Sequence, residues 1–159
     1  MPPITIHVDG ATAGTTQAGI AAIARTPEGY FLGWLSRQLP RMTNNEAEYR
    51  ATLLGLALAQ RLKARQVTII SDSEVVVRQM RGISRVHSSR LKPLHQETCA
   101  RVRHFAAVEF KHVPRAENAL ADALAAEALN GRCVHMPPSS SLPLHSFAPT
   151  STLLSTSLR

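Results

Sequence analysis

Acid is scarce in this chain. Its 159 residues carry 11 Asp and Glu against 18 Lys and Arg, a net charge of +7, and only three of the acids are aspartates: Asp9, Asp72 and Asp122. That balance favours a polyanionic partner, although most of the basic residues are Arg and composition alone decides little. Cysteine is scarcer still. Cys99 and Cys133 stand far apart, which excludes a disulfide framework and the ligand spacing of a zinc site, and leaves free thiols suited to a reducing cytoplasm. No basic and apolar leader precedes the first strand pattern and no apolar run could span a bilayer, so a cytoplasmic protein without a membrane partner is expected. The hydrophobic residues, 44% of the chain, suffice for the core of one ordinary domain.

Residues 4–8 (ITIHV) read as a short buried strand, ended by Asp9-Gly10 and a small, polar stretch. AGIAAIAR (18–25) and YFLGWLS (30–36) flank the turn signal Pro27-Glu28-Gly29, which predicts a hairpin and hence three consecutive antiparallel strands. From Asn45 to Lys63, Ala47, Leu54, Leu58 and Leu62 recur at helical spacing, with Thr43 and Asn44 as candidate caps. VTIIS (67–71) is a β-branched run typical of a strand buried on both faces, and a helix from Ser73 to Met80 follows it. A polar, basic connection (82–89) then leads to a helix over 91–104, a strand over 106–111 and an Ala/Leu-rich helix over 117–129. Three antiparallel strands followed by βαβ units imply an α/β fold, a mixed sheet with helices on its faces. Past the helix stop Asn130-Gly131 the chain turns to Pro, Ser, Thr and Leu without a single acid. The domain is therefore expected to span 1–130, with 131–159 a flexible tail.

The few aspartates fall in telling places. Asp9 follows the first predicted strand and Asp72 the fourth, at the strand ends where open α/β sheets place ligands. On neighbouring parallel strands the two carboxylates would lie side by side and repel unless a cation stood between them; oxygen ligands select Mg²⁺ or Mn²⁺ over zinc. Blander readings exist for each, a turn for Asp9-Gly10 and a helix cap for Asp72. The ensemble decides against them: Glu48 sits early in the long helix within TNNEAEY (43–49), and Asp122 interrupts an apolar helix within ENALAD (117–122).

VDG at 8–10, TNNEAEY at 43–49, SDSEVVVRQM at 71–80 and HVPRAENALADALA at 112–125 resemble, in order, the four motifs of type 1 ribonuclease H over about residues 4–130. The resemblance implies a ribonuclease H-like fold with a five-stranded mixed sheet and an Asp-Glu-Asp-Asp site, carried here by Asp9, Glu48, Asp72 and Asp122. Glu46 competes with Glu48, and the family's spacing after the paired asparagines selects Glu48. The implied activity is hydrolysis of the RNA strand of RNA–DNA hybrids with two Mg²⁺ ions about 4 Å apart, leaving 5′-phosphate and 3′-hydroxyl ends; Mn²⁺ can substitute. By the same resemblance Asp9 would bridge both ions, Asp122 would complete the nucleophile-side ion, and Glu48 with Asp72 would hold the other. Asn44 and Asn45 would read the 2′-hydroxyl, which is both donor and acceptor. Thr43 and Arg78 are candidate phosphate contacts and Arg115 a candidate substrate-binding residue, with Arg81, Arg85, Arg90 and Lys92 around the basic connection as further candidates for phosphate.

The chain also departs from the family. The stretch after Asp9-Gly10 lacks the usual second Gly and later Asn-Pro-Gly turn. The short 82–89 segment leaves no room for the basic helical handle of many members, and PRAEN (114–118) is too short for the loop histidine thought to aid product release. Arg115 stands as its substitute, Asn118 as a residue that orients Asp122 or caps the last helix, and His112 as a strand residue. Weaker hybrid affinity is expected, with double-stranded RNA as a second candidate substrate and a monomer as the working form. Two other readings share the fold: a non-cleaving nucleic-acid-binding module, and another nuclease of the superfold acting on DNA. The first sits poorly with four retained acids, and the second with the asparagine pair.

Overall fold

The computed structural model describes residues 2–12 and 16–134. Five strands, β1 (Ile4–Ala11), β2 (Gln17–Arg25), β3 (Phe31–Pro40), β4 (Gln66–Ser71) and β5 (Ala107–His112), form one sheet in the order β3-β2-β1-β4-β5. β1, β2 and β3 are antiparallel neighbours, while β4 pairs parallel to β1 and β5 parallel to β4. The helices are α1 (Asn44–Arg61), α2 (Glu74–Met80), α3 (Leu91–Val102) and α4 (Ala119–Leu129), the last preceded by a 3₁₀ turn over Arg115–Asn118. This is the mixed α/β sheet expected, and each predicted element is present.

Alternation along β1 divides the core. Ile4, Ile6 and Val8 join Ile20, Ala22, Ile69 and Phe110 beneath α1, whose Ala51, Leu56, Leu58 and Ala59 close the layer. A Cβ on Gly55 would come within 2.7 Å of Val8 Cγ1, so the absence of a side chain there lets α1 lie directly on β1. On the other face Ala21, Ile23 and Phe31 pack against Ala121, Leu124 and Ala125 of α4. A smaller cluster of Tyr49, Leu53, Val76, Leu91 and Leu94 binds α1, α2 and α3 to one another. Each buried Val, Leu, Ile or Phe among them contributes about 1.5–3 kcal/mol of transfer free energy.

Several boundaries differ from expectation. β1 runs on to Ala11, past the predicted end at Val8, because its antiparallel ladder with β2 continues to Ala11↔Gly19 while the parallel ladder with β4 stops at His7↔Ile70. Asp9 and Gly10 are thus strand residues, not a turn. α4 begins at Ala119, not at 117, since the chain leaving Pro114 first makes the 3₁₀ turn. Its end is as predicted: Gly131, at φ +84°, lets the Arg132 N–H reach back to the Glu127 carbonyl at 2.8 Å. The Val134 N–H then donates to Ser36 Oγ at 2.7 Å, so the chain leaves α4 along β3. The remainder of the expected flexible tail, 135–159, lies outside the described residues. No helix among the described residues is long and apolar enough to cross a membrane.

Gly19 marks where α4 rests on β2. A Cβ there would collide with the backbone of Ala125 and Leu129, which cannot move aside as a side-chain tip can. Gly19→Ala should lower unfolding free energy by about 1–3 kcal/mol in urea denaturation; an unchanged midpoint would show that α4 sits less tightly than described.

Candidate active site

Four acids meet at the end of the sheet where β1 and β4 diverge. Continued two residues past His7↔Ile70, the parallel register sets Asp9 level with Asp72, which directly follows β4. Glu48 arrives from the start of α1 and Asp122 from the first turn of α4, and all four line one cleft of about 650 Å³. Asp9, Glu48 and Asp72 each offer an oxygen within 4.8 Å of the others, a set that could hold a divalent cation.

Local structure aims these side chains. Thr43 caps α1 through a capping box: the Glu46 N–H donates to Thr43 Oγ1 at 3.3 Å and the Thr43 N–H to Glu46 Oε2 at 2.8 Å. Glu46 is thereby turned away from the cleft, and Glu48 is the glutamate beside the aspartates. Gly10 permits this approach, since a Cβ on it would stand 2.6 Å from the Ala47 carbonyl carbon; its N–H donates to Glu48 Oε1 at 3.3 Å. Ser73, not Asp72, caps α2 by accepting from the Val76 N–H at 3.3 Å, which leaves Asp72 free for the cleft. Asn118, 1% exposed, donates from Nδ2 to the Val8 carbonyl at 2.9 Å and so pins the chain entering α4 to the strand residue before Asp9. It stands at the N-cap position of α4 without a side-chain capping bond. Arg115 Nη2 donates to Asp122 Oδ1 at 3.3 Å.

The electrostatics are those of crowded, half-dry carboxylates. Asp9 is 3% exposed, and its pKa is pushed up to about 10 by burial first, then by the charges of Glu48 and Asp72 and by hydrogen bonding with Asp122 and Asp72. Glu48 is pushed up to about 8 by burial and the Asp72 charge, against the opposing bond from Gly10. Asp9 Oδ2 and Glu48 Oε2 are buried without a donor. Buried acceptors left bare cost about 1–3 kcal/mol each, and a cation is the partner that would relieve both the bare oxygens and the repulsion.

Of the other residues singled out in the sequence, Asn44, Asn45 and Arg115 line the cleft. Asn44 Oδ1 accepts from the Thr12 hydroxyl. Thr43 is occupied by the α1 cap, and Arg78 Nε donates to Ser84 Oγ at 3.2 Å; neither lines the cleft. A fifth acid, Glu74 in the first turn of α2, does line it and was not singled out, although it adjoins Asp72-Ser73 in sequence.

The comparisons with known proteins bear on this geometry. Residues 7–128 match the family model described as Reverse transcriptase-like. The bifunctional protein Rv2228c of Mycobacterium tuberculosis is 35% identical over 129 residues, covering 80% of this chain and 35% of that protein. Its N-terminal RNase H domain superimposes with a TM-score of 0.78 at 33% identity, covering 82% of this chain and 96% of the domain. LC11-RNase H1, solved in complex with an RNA/DNA hybrid, gives 0.76 at 31% identity over 80% of this chain and 97% of its own. The chain belongs to the type 1 ribonuclease H family. Ribonuclease HI of Halobacterium salinarum, 30% identical over 125 residues, extends the match across 78% of this chain and 63% of that protein. The chain thus spans about a third of the length of the first of these relatives and under two thirds of the other. The four motif acids of this family member share one cleft.

A carboxyl whose folded pKa exceeds its unfolded value of about 4 favours the folded state at low pH and loses that contribution as pH rises through the folded value. With Asp9 at about 10 and Glu48 at about 8, stability in a chelator should fall from pH 5 to beyond pH 8. Asp9→Asn should flatten that fall and raise the stability at pH 8 by on the order of 1–2 kcal/mol in urea titrations. A variant with the wild-type pH slope would contradict the crowding of these acids.

Proposed function

We propose that this domain hydrolyses the RNA strand of RNA–DNA hybrids with divalent metal, Mg²⁺ in the cell, leaving 5′-phosphate and 3′-hydroxyl ends. The observation that carries the reading is the set of four carboxyl groups in one cleft, two of them with buried oxygens that no donor satisfies. That donor set is all oxygen, which fits hard divalent cations. Asp9, Glu48, Asp72 and Asp122 would hold two such ions, which when bound supply activation of the attacking water, neutralisation of phosphate charge and help to the leaving 3′ oxygen.

The chain's own groups do the rest. Asp9, fixed within a strand paired to β2, is the rigid member, and Asn118 holds the approach of α4 to it. Asn44 and Asn45 present amides at the rim, suited to a 2′-hydroxyl that must both donate and accept; this is the basis for choosing RNA. Arg115 donates to Asp122 Oδ1 and lines the cleft, where it would meet a phosphate of the substrate. Thr43 and Arg78, both exposed, are assigned to phosphates beyond the cleaved linkage. We further assign a monomeric working form and a cytoplasmic setting, with double-stranded RNA as a second substrate to test, and extend the domain from the expected boundary at 130 to at least Val134, which bonds to Ser36 of β3.

Incubation with an end-labelled RNA–DNA hybrid and Mg²⁺ should give RNA fragments with 3′-hydroxyl ends, and a chelator should abolish them. Asp9→Asn should lower the rate by roughly three orders of magnitude, in keeping with the several kcal/mol that two-ion chemistry supplies. Binding without cleavage would instead identify a nucleic-acid-binding module, and equal cutting of double-stranded DNA another nuclease of this fold.

A further inference from the structure

Soft ligand atoms gather in a part of the molecule that the acids do not reach. A recess of about 650 Å³ between α2 and α3 shares no lining residue with the acidic cleft. Met80 at the end of α2 lines it with a thioether side chain, and His95 and Cys99 of α3 line it with an imidazole and a thiol. Among the described residues no Asp or Glu lines this recess, whereas Arg85 and Lys92 do.

His95 and Cys99 stand four residues apart on one helix, the spacing that sets two side chains on the same face. Cys99 Sγ lies 3.7 Å from His95 Nε2. Bonds of zinc length, about 2.3 Å to sulfur and 2.0 Å to nitrogen, at a tetrahedral or trigonal angle hold the two atoms about 3.5–3.7 Å apart across one ion. The pair therefore already has the bite of a chelate. The imidazole is also held in place: it meets the Tyr49 ring edge-on, with centroids 6.4 Å apart and planes at 85°. Tyr49 is itself fully buried and donates its hydroxyl to Gln79 Oε1 at 2.6 Å. Outer contacts of this kind orient a ligand before any ion arrives.

The donor set selects the ion. Hard cations take oxygen ligands, and no carboxylate lines the recess. Thiolate and thioether ligands favour Cu(I). Charge points the same way. On ligation the Cys99 thiol gives its proton to solvent, so a monovalent ion and the thiolate are neutral together; a divalent ion would leave a positive charge beside Arg85 and Lys92.

We propose that Met80, His95 and Cys99 form a binding site for a soft monovalent metal ion, Cu(I). Ligands from both helices would tie α2 to α3. The two cysteines give no sign of it by their spacing, because only one of them is used. The site is separate from the chemistry proposed for the acidic cleft.

The full chain, titrated anaerobically with Cu(I) against the chromophoric chelator bicinchoninate, should bind one equivalent at this site. Cys99→Ser should weaken that binding by roughly tenfold or more, and Met80→Leu, which keeps the apolar bulk, by a smaller factor. Cys133→Ser, altered at an exposed thiol elsewhere, should leave it unchanged. X-ray absorption by the copper-loaded wild type should show nitrogen and two sulfur neighbours, and a single sulfur in Met80→Leu. Undiminished binding in Cys99→Ser, loss of the equivalent in Cys133→Ser, or a wild-type copper ion without sulfur neighbours would overturn the site. Tighter binding of Zn²⁺ than of Cu(I) would overturn the choice of a monovalent ion.

Discussion

Repulsion among four carboxylates in a half-dry cleft is the constraint around which this molecule is arranged. Left in water these groups would separate; here Asp9, Glu48 and Asp122 are carried on β1, α1 and α4, and Asp72 on the short link between β4 and α2. Asp9 is the most firmly held, since its strand is paired to β2 on one side and follows the β4 ladder on the other. Burial, and then the neighbouring charges of Glu48 and Asp72, raise its pKa well above the usual carboxylate range. A scaffold that holds like charges together has a deficit of positive charge at that point, and a hard divalent cation is the group that supplies it.

Much of the remaining structure reads as support for that arrangement. Gly10 and Gly55 remove the side chains that would hold α1 off the sheet, at the site and at mid-helix respectively. The capping box at Thr43 sets where α1 starts, and so which glutamate faces the cleft. Asn118 makes the corresponding tie for α4, with a bond spanning 110 positions of sequence. These are short, directional contacts placed beside a broad apolar core. The core and its glycine contacts seat each helix on the sheet, and the polar contacts fix the ends nearest the cleft.

The acids themselves were legible because they are so few: three aspartates, two at the ends of recognisable strands and one in an apolar helix, leave little to choose among. The glutamate was harder. Spacing favoured Glu48 over Glu46, and the physical reason lay in the sequence as well, since Thr43 and Glu46 stand in the T-x-x-E relation of a capping box. Other features had no local signal. The extension of β1 through Asp9 and Gly10 depends on the partner strand β2, not on the residues of β1, which by themselves resemble a strand ending in a turn. The bond from Asn118 to Val8 is invisible until the chain ends are brought together, and Glu74 passed for an ordinary first-turn acid until α2 was seen to open onto the cleft.

A cleft of this kind binds a cation by giving up protons from these acids. Calorimetric titration of the domain with Mg²⁺ at pH 7.5, in two buffers of different ionisation enthalpy, measures the protons released on binding. With Asp9 and Glu48 held above their ordinary range, binding should release about one to two protons per chain, and Asp9→Asn should reduce that release. Binding with no proton release, or release undiminished in Asp9→Asn, would contradict it.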